Sequence, residues 1–436
     1  MRVSRTTEEG KFAKKVLRDL ERGGDLSPQA AARLGLTFLA VVKRDEWSRV
    51  RRAAEKEDTL QVADALKLAS DAAGLPFDLP LDSGAPGRLK PDALRKVVSA
   101  FDRITPWQVE SIRAVAEIFA VNAFEDPQTP PAVAGLVAEI ARPPAGATLF
   151  DPAVQAGMIL LRAALRADNL PVTVHGWSYS DDGDEDAWKV TWLILKASGI
   201  ENVKIDPAAP KYADYFMPAP WGEVMFADLT RVPVSRARNE SGPVVQAILS
   251  HLEGGGPLVL LVPGNLLADS KNAELCASLM RSNLMGVMRL PVSLFPRGMH
   301  DVDLLVVRGG SEPCLEREIL FLDVAAYLAA DPSRSLNDET SRMIGETYRA
   351  FLEKDPLWQM GAVARFGRAV PFEEVQDRQM TMPGSGLEVA LYVPPVVEPV
   401  DLKEAFERLK DIKKERQEIA EDLEQKIDTL MRTLRL

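Results

Sequence analysis

From about residue 129 onward the chain alternates short apolar runs with helical segments, and this alternation constrains its fold more than any other feature. The runs are Thr148–Phe150, Val172–Gly176, Val203–Ile205, Glu223–Phe226, Leu258–Val262, Gly286–Leu290 and Leu304–Arg308. Each is short, apolar and bounded by polar or turn-forming residues, so each reads as a strand. Helical stretches such as DEDAWKVTWLILKASGI separate the early ones. Strands that alternate with helices pair in parallel, because a parallel return needs a crossover of helix length. The prediction is an α/β, doubly wound sheet with its site at the carboxyl ends of the strands. The last two runs are close enough in sequence to form a hairpin.

The flanks differ in texture. Residues 1–124 read as an N-terminal helical domain. Ser27-Pro28 makes a good helix start, and further helices are expected around 91–102 and 107–124. Lys43, Arg44, Arg49, Arg51 and Arg52 cluster around Trp47. They are candidate DNA-phosphate contacts, with a solvated helix face as the competing reading. Residues 125–398 form the α/β domain, which also carries a strand in EREILFLDV and a helix in NDETSRMIGETYRAFLEK. Residues 399–436 read as one long charged helix with a narrow stripe of Leu402, Phe406, Leu409, Ile412, Ile419, Leu423, Ile427, Leu430 and Leu434. Lys413 and Arg416 break a strict heptad. Such a stripe needs a partner helix, from this chain or another.

Composition narrows the function. The 436 residues are 46% hydrophobic, enough for a large core, yet no run of eighteen apolar residues exists, so no membrane span is expected. The opening MRVSRTTEEGKFAKK lacks an apolar signal region. Cys276 and Cys314 stand far apart, which fits reduced thiols in a cytoplasmic protein. With three scattered histidines, His175, His251 and His300, neither a metal site nor a Ser-His-Asp arrangement is suggested. The net charge of −11 argues against broad nonspecific nucleic-acid binding, while leaving open a local basic face or a DNA-binding partner. GGGP at 254–257 lacks the Lys-Ser/Thr of a phosphate loop and reads as a turn before a buried strand.

LFDPAVQAGMILL, residues 149–161, has the layout of a strand, a tight turn and a helix. Together with TPPAVAGLVAEIARPP at 129–144, GEVMFADLTR, GGGPLVLLVPGNLL and GVMRLPVSLFPRGMHDVDLLVVRGG, it resembles the modification subunits of type I restriction–modification systems, which are N6-adenine DNA methyltransferases. The resemblance covers nearly the whole chain. It implies a Rossmann-like class I S-adenosylmethionine-dependent methyltransferase fold, with a helical domain before it and a terminal helix that packs on a specificity subunit.

The resemblance also assigns positions, and there the residues depart from the pattern. In the DPACGSGG-type cofactor loop, Asp151, Pro152 and Gly157 match, whereas Gln155 and Met158 replace glycines. A cofactor lying on exposed backbone leaves no room for a Cβ there. The acid that holds the cofactor ribose maps to Ser178, with Asp181, Asp182, Asp184, Glu185 and Asp186 just beyond it. Asp206 is a weaker match to the acid near the adenine. The catalytic NPPF/Y, which grips and stacks a flipped adenine, reads Asp228-Leu229-Thr230-Arg231. Changes at both sites point to a pseudo-methyltransferase, with no cofactor unless the cleft still admits S-adenosylmethionine. That is a scaffold or DNA-handling subunit of a bacterial modification, restriction or defence complex. Its partner through 401–436 would be a specificity-like subunit, a nuclease, an active methyltransferase or a second copy. A divergent active enzyme using Asp228, and a cofactor or nucleotide sensor in the old cleft, stay open as alternatives.

Overall fold

The computed structural model describes residues 7–42, 47–56, 59–72, 89–104, 107–123, 129–154, 157–167, 172–178, 187–206, 223–230, 245–246, 248–249, 252, 256–268, 272–295, 301–309, 317–381 and 386–394, with 410, 413–414, 416–417 and 426 beyond them. Two units emerge, Met1–Pro394 and Pro395–Leu436.

The first unit begins with helices α1 (Glu8–Gly24), α2 (Pro28–Val41), α3 (Trp47–Glu55), α4 (Thr59–Ala72), α5 (Pro91–Ile104) and α6 (Val109–Asn122). The Ser27 hydroxyl accepts from the Ala30 amide and Pro28 occupies the first turn, as the sequence predicts for a helix start. Phe38 stacks on Phe101 with ring centroids 5.3 Å apart. Trp47 is buried beside them, its indole N–H donating to Asp102 at 2.7 Å. Arg49, Arg51 and Arg52 occupy the opposite, exposed face of α3.

The α/β part follows with α7 (Pro131–Ala141), β1 (Thr148–Val154), α8 (Met158–Arg166), β2 (Thr173–Ser178), α9 (Ala187–Ala197), β3 (Asn202–Asp206), β4 (Val224–Asp228), β5 (Pro257–Pro263), α10 (Asn265–Ala268), α11 (Ala273–Arg281), β6 (Leu284–Leu290), β7 (Val302–Arg308), β8 (Glu318–Asp323), α12 (Val324–Ala329), α13 (Asp338–Leu352), β9 (Gly367–Pro371) and α14 (Phe372–Thr381). One sheet carries all nine strands in the order β3-β2-β1-β4-β5-β7-β6-β8-β9. All seven expected strands form, each near its predicted bounds.

The five strands from β3 to β5 are parallel, as alternation with helices requires. β6 and β7 make the expected hairpin, but β7 inserts between β5 and β6 and runs antiparallel to both. The doubly wound sheet is therefore mixed, and β9 adds an antiparallel edge that the sequence does not announce. β4 is buried along its whole length and β5 nearly so. Leu258, Leu260 and Val262 join Phe150, Met225, Leu305 and Phe321 in one apolar core. At the start of β5, a Cβ on Gly256 would stand 1.7 Å from the Glu223 carbonyl oxygen, so the glycine turn serves close backbone approach.

Helix α9 packs against α2 and α6, and α13 against α7. Arg162 of α8 pairs with Glu117 of α6 at 2.8 Å and lies 3.7 Å from Asp338 at the start of α13. Burial raises the Glu117 carboxyl above its ordinary range, with Arg162 opposing that shift. Among the described residues of the second unit, Lys410, Lys413, Lys414, Arg416, Gln417 and Lys426 are helical and exposed. The apolar stripe from Leu402 to Leu434 lies outside the described residues.

Candidate functional site

The site predicted from the sheet's topology lies where β1 and β4 end side by side. β1 pairs with β4 through Leu149 opposite Val224, and side chains alternate along a strand, so Asp151 and Asp228 share one face. Both are buried. Asp151 accepts the Ala153 amide at 2.8 Å, where the β1–β2 register shifts between Asp151 and Val154. Burial pushes its carboxyl up to about 8; the Ala153 bond opposes the shift and the nearby Asp228 charge adds to it. At neutral pH Asp151 is therefore mostly protonated.

Asp228 is held by donors from Thr129 and Thr230. Thr230 gives its amide at 3.0 Å and its hydroxyl at 2.5 Å to Oδ1, and the Thr129 hydroxyl donates to Oδ2 at 2.5 Å. Thr129 precedes Pro130-Pro131 at the start of α7, so this bond fastens the α7 entrance to the end of β4. Leu229 is fully buried in the core beside Val245 and Ile248. Its amide donates to the Leu261 carbonyl at 2.8 Å, which continues the β4–β5 pairing past Asp228. A proline, which the resemblance places here, has no N–H to give.

At the loop after β1, Gly157 adopts φ 67° at the N-terminus of α8. A Cβ there would stand 2.4 Å from the Thr191 Cγ2 of α9. The surviving glycine is thus required by its own backbone and by a packed neighbour. Met158 is 3% exposed and points into the protein, so it lines no open cleft. On β2, Gly176 lies under the Val154 side chain, whose Cγ2 would stand 2.3 Å from a Cβ at that position. Ser178 ends β2 opposite Val154, and Asp206 ends β3, half-buried. Gln155, the acids from Asp181 to Asp186, Arg231, Lys43 and Arg44 lie outside the described residues, as do Cys314, His251 and His300. Cys276 is buried as a free thiol.

The structure therefore brings together Asp151, Asp228 and Thr230, with Thr129 as an unforeseen fourth member. Thr129 stands in a segment that signals only a helix start, and its one local mark is a hydroxyl residue directly before two prolines. Thr191 and the Glu117–Arg162 pair carry no local signal, because their partners are distant in sequence. Among the described residues no group of side chains is arranged to hold a metal ion.

S-adenosylmethionine would need open backbone at the β1 turn, an acid for its ribose and an accessible acceptor near its methyl group. Here residue 178 is a serine, and the oxygens of Asp228 already receive hydrogen bonds from Thr129 and Thr230. The described residues do not fit that cofactor.

Strand order, the parallel half of the sheet and the antiparallel β7 define the class: the chain has the class I S-adenosylmethionine-dependent methyltransferase fold. No family model and no curated protein matches the chain. Among solved structures it is similar to the methyltransferase subunit of a type I restriction–modification system from Streptococcus thermophilus. The two are 13% identical with a TM-score of 0.60, over 87% of this chain and 99% of that one. It is also similar to a chain solved in work on complex assembly and conformational transition of the type I restriction–modification system. Here identity is 15% and the TM-score 0.58, over 96% of this chain and 99% of the other.

Proposed function

We propose that this chain is a pseudo-methyltransferase: a methyltransferase fold retained as a scaffold or DNA-handling subunit of a modification, restriction or defence assembly. The observation that carries the reading is the bonding of Asp228. Its carboxylate is the one charged acceptor in the degenerate motif from 228 to 231, and it already receives Thr129 and Thr230. Leu229, next to it, is committed to the sheet and the core. An adenine amino group would have to displace these donors from a buried carboxylate, with no proline turn to present it.

The similar solved chains come from type I systems, one of them from a study of complex assembly, which supports a role among partner subunits. The apolar stripe from Leu402 to Leu434 is the surface we assign to a partner helix, and the exposed Arg49, Arg51 and Arg52 to DNA phosphates. The test is calorimetry with S-adenosylmethionine, together with transfer of labelled methyl groups to adenine-containing duplex DNA. Neither binding at millimolar cofactor nor label in DNA is expected. Saturable binding with label on adenine would overturn the reading in favour of a divergent enzyme, and binding without transfer would favour a sensor.

A further inference from the structure

A cavity of about 1030 Å³ opens between the helical part and the α/β part of the first unit, well away from the loop after β1 in sequence. One wall is the face of α1 that carries Lys14, Leu17 and Arg18; beside it α6 contributes Ile118 and Val121. Val121 is 42% exposed there. The facing wall carries Leu294, Leu328 and the start of α7 at Ala132.

Charge is distributed unevenly over this surface. Lys14 and Arg18, one helical turn apart, are exposed and have no ion-pair or hydrogen-bond partner for their side chains among the described residues. The acid on the same wall is Glu21; the other acid, Glu117, is already held by Arg162. Arg334, at the far side, stacks on Tyr327 and pairs with Asp331 at 3.6 Å. The α7 entrance has no side-chain cap, and Pro130 and Pro131 offer no N–H, so the Ala132 amide is the first donor there. Among the described residues, the wall therefore offers two unpaired cations against the single unpaired carboxylate of Glu21, and a backbone donor, next to exposed apolar surface.

We infer that this cavity binds a nucleotide, its phosphates on Lys14 and Arg18 and its ring against the apolar surface of Leu17, Ile118 and Val121. A bare anion would leave the apolar surface uncovered, whereas a nucleotide presents phosphates to Lys14 and Arg18 and a ring to that surface. The volume is ample for a nucleoside triphosphate. The site does not depend on the degenerate methyltransferase loop, so it stands or falls separately from the function proposed above.

Calorimetry on the full chain tests it, with adenosine and guanosine triphosphates, adenosine, inorganic tripolyphosphate and a short DNA duplex as probes. A triphosphate is expected to bind at least tenfold more tightly than adenosine or tripolyphosphate. The Lys14→Gln/Arg18→Gln double variant, altered only at exposed unpaired positions, should keep its unliganded Tm and lose at least tenfold in affinity. Val121→Glu, which puts an acid on the apolar wall, should weaken binding as well. Three results would each overturn the inference: no heat with any triphosphate at millimolar concentration, equal binding of tripolyphosphate, or an unchanged affinity in the double variant. Binding of the duplex alone, lost in that variant, would reassign the wall to a polynucleotide and overturn it too.

Discussion

Thr129 donates its hydroxyl to Asp228 at 2.5 Å across 99 positions of sequence, joining the α7 entrance to the last residue of β4. Both residues are buried, so the loss of the donor leaves a carboxylate oxygen short of a bond in a site that water does not readily reach. Thr129→Val keeps the shape and removes the hydroxyl. It should cost about 1–3 kcal/mol in urea unfolding. Asp228→Ala should be at least as destabilising, with no methyl transfer lost because none is expected. Neutral stability in both variants would sink the latch role of this pair.

Much of this architecture is legible in the sequence, and the reasons are local. Strands such as Leu258–Val262 announce themselves because a fully buried strand is a continuous apolar run, and Ser27-Pro28 because a cap and a first-turn proline are adjacent in sequence. The insertion of β7 between β5 and β6 is not legible, since pairing order depends on where a hairpin docks and not on its own residues. β9, GRAVP, is a short edge strand with only Val370 buried, too little pattern to detect. At the site, the bulk at Gln155 and Met158 is readable from the sequence, whereas the bonding of Asp228 requires a threonine from another element.

Asp151 supplies a pH signature. Its folded-state value of about 8 lies above the ordinary 3.8, because burial penalises the charge. Between those values the folded chain holds a proton that the unfolded chain has released, so this residue makes stability fall as pH rises from about 4 to about 8. Asp151→Asn keeps the acceptor for the Ala153 amide and removes the charge. The variant should match the parent near pH 4 and exceed it at pH 9, by on the order of 2–5 kcal/mol. Chemical unfolding at several pH values reads this directly. Parallel curves for the two proteins would show that Asp151 ionises normally.

Gly157 and Thr191 form a second coupled pair. Gly157→Ala places a Cβ at φ 67°, where an L side chain costs roughly 1–2 kcal/mol, and sets it 2.4 Å from the Thr191 Cγ2. Thr191→Ser deletes that methyl group, at about 1 kcal/mol for the buried carbon. The double variant should therefore be more stable than the sum of the single changes predicts, while the backbone cost persists. Strict additivity would mean that the helix shifts to admit the Cβ without help.

Leu229 ties the turn after β4 to the sheet and the core. Leu229→Pro, which installs the residue that the resembled NPPF/Y pattern has at this position, deletes the N–H that donates to Leu261 at 2.8 Å. It also withdraws a fully buried side chain from the core that holds Val245 and Ile248. A lost sheet bond and a partly emptied core site act together, and each mechanism alone reaches the kcal/mol range. The variant should lose more than about 3 kcal/mol of stability. It should gain no methyl transfer to DNA in the labelled assay. A well-folded Leu229→Pro protein would mean that the turn after β4 can still leave the sheet as the motif requires, and the pseudo-methyltransferase reading would then lose its structural basis at this position.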